Sequence, residues 1–152
     1  SCPCPLAELP KALVVTSITK LSLKGLKGLE YLPTELVMLS SLSDFSISCC
    51  YDLKSLADVQ LPSSLKSFEI WDCNKLESLP KDMESLTHLV YLNLIRCQRL
   101  ICFPGSSLPT SLRTLQVHDC NRWEFPISIE RMKHTCLEYL ELWRTSGQIG
   151  RA

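Results

Sequence analysis

The chain has 152 residues, 45% hydrophobic and 21% charged, which suits one domain with a sizeable core and excludes a disordered segment. Sixteen Lys plus Arg balance sixteen Asp plus Glu, so no net charge draws the chain toward nucleic acid or an anionic membrane. Its apolar runs are too short to span a bilayer, and the opening SCPCPLAELPK lacks a signal-peptide layout.

In chain order, residues 1–17 begin inside a pattern. Leu6, Leu9 and Pro10 fall 23 residues before Leu29, Leu32 and Pro33, the end of the first complete copy. That copy runs Ile18, Leu21, Leu23, Leu26, Leu29, Leu32, Pro33. The next is Leu42, Phe45, Ile47, Cys50, Leu53, Leu56, with Ala57 in the proline slot. LKSFEIWDCNKLESLP follows from Leu65, and LVYLNLIRCQRLICFP from Leu89. A degraded copy starts at Leu112, with Trp123 in a leucine slot and Pro126 one position early. A last one starts at Leu137 and stops matching at Thr145.

The starts at 18, 42, 65, 89, 112 and 137 are 24, 23, 24, 23 and 25 residues apart. A beat this regular identifies leucine-rich repeats, each a short strand followed by a return segment. Counting the first apolar residue of a copy as i, those at i+3 and i+5 share one strand face, because side chains alternate. A single copy cannot bury that face, so the copies must stack. The fold expected is an α/β repeat solenoid, a curved leucine-rich-repeat horseshoe segment. Its parallel β-sheet lines the concave side, and its convex side is irregular or short-helical. Residues 1–152 form one array, with a partial repeat over 1–17, repeats starting at 18, 42, 65, 89 and 112, and an incomplete last one over 137–152. The returns after Pro33 and Pro80 suit a short helical turn, whereas ADVQLPSSL and GSSLPTSL carry a Leu-Pro that disfavours regular helix. Without evident caps at either end, the array is expected to be part of a longer one or to be covered by a partner.

Nine cysteines are present, and four of them, Cys50, Cys73, Cys97 and Cys120, occupy the i+8 column. That residue turns inward as the chain leaves the strand, and a small weak-donor thiol fills the slot. Strands ~4.8 Å apart do not suit pairwise S–S bonds, so the column is expected to be a structural ladder of reduced thiols. Neither CxxC nor CxxC…HxxxH spacing occurs, and no metal is expected. No phosphate loop, dinucleotide fingerprint or nucleophile elbow occurs. His118 precedes Cys120 by two, but Cys120 belongs to the inward ladder. No catalytic or cofactor-binding residue is assigned, and no enzymatic activity is expected.

The positions left free form the concave face. The i+4 column reads Ser22, Ser46, Glu69, Asn93, Gln116 and Glu141, all polar. The i+6 column reads Lys24, Ser48, Trp71, Ile95, His118 and Trp143, and the i+2 column adds Tyr91 and Tyr139. Aromatic residues where solubility favours polar ones mark a protein-binding surface. The candidate site is therefore Glu69, Trp71, Tyr91, Asn93, Ile95, His118, Tyr139 and Trp143. At i+7, Asp72, Arg96, Asp119 and Arg144 alternate in sign, as a charged rim or as ordinary exposed ion pairs.

The unit LxxLxIxxCxxLxSLP, in the copies at 65 and 89, resembles the C-terminal repeats of plant intracellular nucleotide-binding leucine-rich-repeat (NLR) disease-resistance proteins, especially the coiled-coil type. The alternation of LPKDMESLTHL with LPTSLRTL is similar to that family too, and the resemblance covers nearly the whole chain. It implies a cytoplasmic or nucleocytoplasmic plant protein in a reducing compartment. It implies recognition of a pathogen effector or a guarded host protein, and an intramolecular contact that restrains a nucleotide-binding domain. ATP or ADP is implied only for that other domain, not for these residues. An alternative is an intracellular leucine-rich-repeat adaptor for ubiquitin ligation. F-box repeats share the i+8 cysteine but favour a longer period, and bacterial LPX-type effectors share LPSSLKSF but favour a shorter one.

Overall fold

The computed structural model of the protein describes residues 17–101, 108–122 and 136–144. Six five-residue strands form one parallel sheet in sequence order: β1 (Lys20–Lys24), β2 (Asp44–Ser48), β3 (Ser67–Trp71), β4 (Tyr91–Ile95), β5 (Thr114–His118) and β6 (Tyr139–Trp143). Each strand occupies i+2 to i+6 of its copy, and the register pairs like position with like: Leu21↔Phe45, Phe45↔Phe68, Phe68↔Leu92, Leu92↔Leu115, Leu115↔Leu140. The protein is a repeat solenoid, one strand per turn, as the spacing requires.

Parallel pairing continues beyond the strands. Lys66 N–H donates to the Ser43 carbonyl, Val90 N–H to Lys66 and Arg113 N–H to Val90, at 2.8, 2.8 and 2.9 Å. On the return side, Lys54 N–H donates to Glu30 and Glu77 N–H to Lys54 at 3.0 and 2.9 Å. Ser64 and Ser111 hydroxyls donate to the Leu42 and Leu89 carbonyls at 2.7 and 2.6 Å, serving acceptors that the returns leave without a ladder partner.

The core is the file of repeat leucines with Phe45, Ile47, Phe68 and Ile70, buried through the middle turns and partly buried at Leu21, Leu26 and Leu29 and at Leu137, Leu140 and Leu142. Phe45 and Phe68 stack across neighbouring turns, ring centroids 5.4 Å apart and ring planes nearly parallel. The returns differ from an α/β expectation. Among the described residues no α-helix occurs, and two short 3₁₀ segments, Thr34–Met38 and Met83–Ser85, stand where the sequence suits a helical turn. Within a repeat of this length, a return long enough for several α-helical turns has no room. The ADVQLPSSL return is irregular, as its Leu-Pro dictates. Trp123, Pro126, His134, Cys2, Cys4 and Cys102, and the residues after Arg144, lie outside the described residues.

The i+8 column turns inward. Cys50, Cys73, Cys97 and Cys120 are fully buried and free of disulfide bonds. Their sulfurs lie 3.4–3.8 Å from carbonyl oxygens of their own strand or the preceding turn, for example Cys97 Sγ to Ile95 and Ile70 and Cys120 Sγ to His118 and Leu94. Each thiol is thus a weak donor to carbonyls where the chain leaves the strand. Burial pushes Cys73 up to about 12. The Cys120 thiol beside it, together with burial, holds Cys97 well above the ordinary thiol value.

Candidate functional site

The sheet face turned away from the core carries the i+2, i+4 and i+6 columns. β3 offers Ser67, Glu69 and Trp71; β4 offers Tyr91, Asn93 and Ile95; β5 offers Thr114, Gln116 and His118; β6 offers Tyr139, Glu141 and Trp143. Because the register never slips, each column is straight across the sheet. Trp71, Tyr139 and Trp143 are 38, 49 and 58% exposed, so the sheet presents aromatic surface on β3 and β6. Tyr91, Ile95 and His118 are half-buried between them. Exposed aromatic residues also occur off this face, at Tyr31 and Tyr51, but there they are single and on the returns.

Two hydrogen-bonded groups organise the face. In the first, Glu141 Oε1 accepts from Gln116 Nε2 and lies against His118 Nε2, both at 2.9 Å. Tyr91 donates its phenol to Gln116 Oε1 at 2.8 Å, so three strands are tied through side chains. These bonds from His118 and Gln116 hold the Glu141 carboxyl below the usual carboxylate range. His118 also packs edge-on against Trp143, ring centroids 5.8 Å apart. In the second, Glu69 Oε2 accepts from Trp71 Nε1 at 3.4 Å and from Asn93 Nδ2 at 3.3 Å.

Asn93 departs from the expectation of a wetted i+4 column. It is only 5% exposed, and its Oδ1 has no hydrogen-bond donor. The reason is its place between larger neighbours: Glu69 and Gln116 flank it in the column, and Tyr91 and Ile95 stand on either side along β4.

The i+7 column lies at the strand exits. Arg96 grips Asp72 with two guanidinium nitrogens, Nη2 reaching Oδ2 at 2.9 Å, and that contact holds the Asp72 carboxyl below its ordinary value. Arg144 Nη1 lies 3.5 Å from Asp119 Oδ1, and its guanidinium carbon stands 5.4 Å from the Trp143 ring centre. The alternating signs therefore pair two by two, as exposed, solvent-screened ion pairs that add little to stability. His118 faces outward and Cys120 inward, so this strand end does not bring their side chains together, and of His118 the thiol meets only the carbonyl.

Gln116 and Glu141 are the residues that the sequence left out of the site. They appear there as two polar positions among six, and only the structure shows Gln116 bridging Tyr91 to Glu141 and Glu141 against His118. A shallow recess adjoins Trp71, lined by Lys24, Ser46, Ser48, Cys49, Glu69 and Asp72 as well. A second, over Ser22, Ser46 and Ser67, also ends at Glu69. Among the described residues no cluster of His, Cys, Asp or Glu suits a metal ion, and no helix is long and apolar enough to cross a membrane. No family model matches the chain, and no curated protein matches it at a significant level.

Proposed function

We propose that this chain is the partner-recognition array of a plant intracellular immune receptor of the NLR class. Its turns are leucine-rich repeats of a horseshoe whose sheet lines the concave side. Through that face the array binds a pathogen effector or a guarded host protein, and it restrains an adjacent nucleotide-binding switch. The observation that carries the binding role is the set Trp71, Tyr139 and Trp143, exposed on one face of a straight-registered sheet. Large rigid aromatic side chains contribute contact area at low entropic cost, and their clustering marks interface centres. The receptor class is supported by the LxxLxIxxCxxLxSLP units at 65 and 89. A column of free, buried thiols suits the reducing cytoplasm.

Two experiments test this. Replacing Trp71, Tyr91 and Trp143 together by Ala should weaken binding of a polypeptide partner at least a hundredfold, as loss of several hot-spot side chains does. Circular dichroism should stay unchanged; undiminished binding by a folded triple variant would falsify the site. The receptor class predicts a GxxxxGK[ST] loop in the same reading frame upstream of these repeats. A complete reading frame without one would exclude that class and leave the binding face to be judged by the first experiment.

A further inference from the structure

We propose that the recess between β1 and β3 is a subsite for a lysine or arginine side chain of the docked polypeptide. This rests on reading the sheet face as a protein-binding surface, and it specifies what that surface selects. Glu69, half-buried at the meeting point of both recesses, is the anchor. Its two hydrogen bonds, from Trp71 and Asn93, both end on Oε2. Among the described residues no cation pairs with it, whereas Asp72 and Asp119 have Arg96 and Arg144. A half-buried carboxylate with an unused oxygen is a poor arrangement in isolation and a good one beside a cation.

Three further observations point the same way. Trp71, which donates to Glu69, is exposed beside the recess, and an indole ring attracts a cation over its face. The guanidinium of Arg144 already stands over Trp143 in the same column, showing how such a group is accommodated on this sheet. The oxygen of Glu69 that takes neither hydrogen bond is an acceptor, and ammonium and guanidinium groups are donor-only. The floor is Ser46 and Ser48, small enough to leave the space open. Lys24 lines the recess beside Trp71 and Lys20 the second one, both on the β1 side, so a bound cation seats on the β3 side, against Glu69 and Trp71. The pairing of a near lysine edge with a far carboxylate orients a bound segment across the strands. A neutral amide meets the hydrogen bonds but leaves the charge of Glu69 uncompensated, and an acidic side chain is repelled.

A displayed library of random peptides tests this, with one central position fixed as Lys, Arg, norleucine, Gln or Glu in five separate pools. The folded chain should retain the Lys and Arg pools about tenfold better than the norleucine and Gln pools. Glu69→Gln, nearly isosteric, should erase that preference. Ser48→Lys, which supplies an ammonium from the recess floor itself, should erase it too, so the test does not depend on one variant folding. Equal retention of the Lys and norleucine pools, or a preference that survives both substitutions, overturns the subsite and leaves the binding face standing. Failure to retain any pool overturns both.

Discussion

A thiol in the inward column combines two properties that a leucine or a serine has only singly: it tolerates complete burial and still offers a proton to a carbonyl. The combination makes the ladder sensitive to alkali. An unperturbed thiol ionises near pH 9, whereas burial moves Cys73 to about 12 and raises Cys50 as well. The folded state therefore holds protons that the unfolded state releases. This contribution to stability is complete below about pH 9 and is lost as pH rises toward 12. Urea midpoints should be flat up to about pH 9 and fall beyond it, and Cys73→Ala should flatten part of that fall; an unchanged midpoint above pH 10 would refute the linkage. With iodoacetamide at pH 8, Cys49 and exposed Cys136 should be modified before Cys73 and Cys97, which react only on unfolding. Mass spectrometry of timed digests reads the order directly.

At the scale of one turn, the strand exit is the element that the sequence only half discloses. Cys49, Asp72, Arg96, Asp119 and Arg144 all sit at φ of 54–56°, in the left-handed region, and Gly25 holds the same place at 65°. All of these except Arg144, which follows β6, donate their N–H to the last carbonyl of the next strand, as Cys49 does to Trp71 and Asp72 to Ile95, at 2.9 Å. The left-handed residue aims the following cysteine inward and its own side chain along the rim. The glycine at the head of the column, with aspartate twice below it, was the available signal, because these residues enter that region most readily. Read as charges alone, the column gave the ion pairs and hid the turn. Cys49 makes no ion pair, so Cys49→Gly should stabilise the chain by about 0.5–1 kcal/mol by relieving the backbone. Gly25→Ala should cost about 1 kcal/mol, and since an added Cβ there meets nothing within 4 Å, that cost is conformational alone. Thermal melts of the two variants should move in opposite directions; shifts of the same sign would count against the account.

Across the described sheet, each strand pairs with the strands before and after it in sequence. Stability is then carried by turn-to-turn interfaces, and damage should spread by neighbours rather than globally. Phe68→Ala, which removes one ring of the Phe45 stack, should cost about 3–5 kcal/mol. Hydrogen exchange should speed up first in β2, β3 and β4, with β6 affected least; uniform loss of protection would argue for a single cooperative core. Strand positions, register and the buried thiols were legible in the sequence, because a period of 23–25 residues admits only one stacking that superimposes the apolar columns. The site was legible as columns but not as bonds: whether Gln116 serves Tyr91 or Asn93 depends on rotamers that no spacing encodes. Short helical turns in the returns after Pro33 and Pro80 were legible but their type was not, since a proline followed by an amphipathic stretch suits 3₁₀ and α alike. Those returns also alternate. The copies at 18 and 65 carry the 3₁₀ segments, and the copy at 42 carries the irregular Leu-Pro path between them. The natural splice unit is accordingly a pair of turns. Recombination that duplicates residues 18–64 as a block preserves every seam on the return side, whereas inserting a lone turn sets like beside like and breaks the alternation.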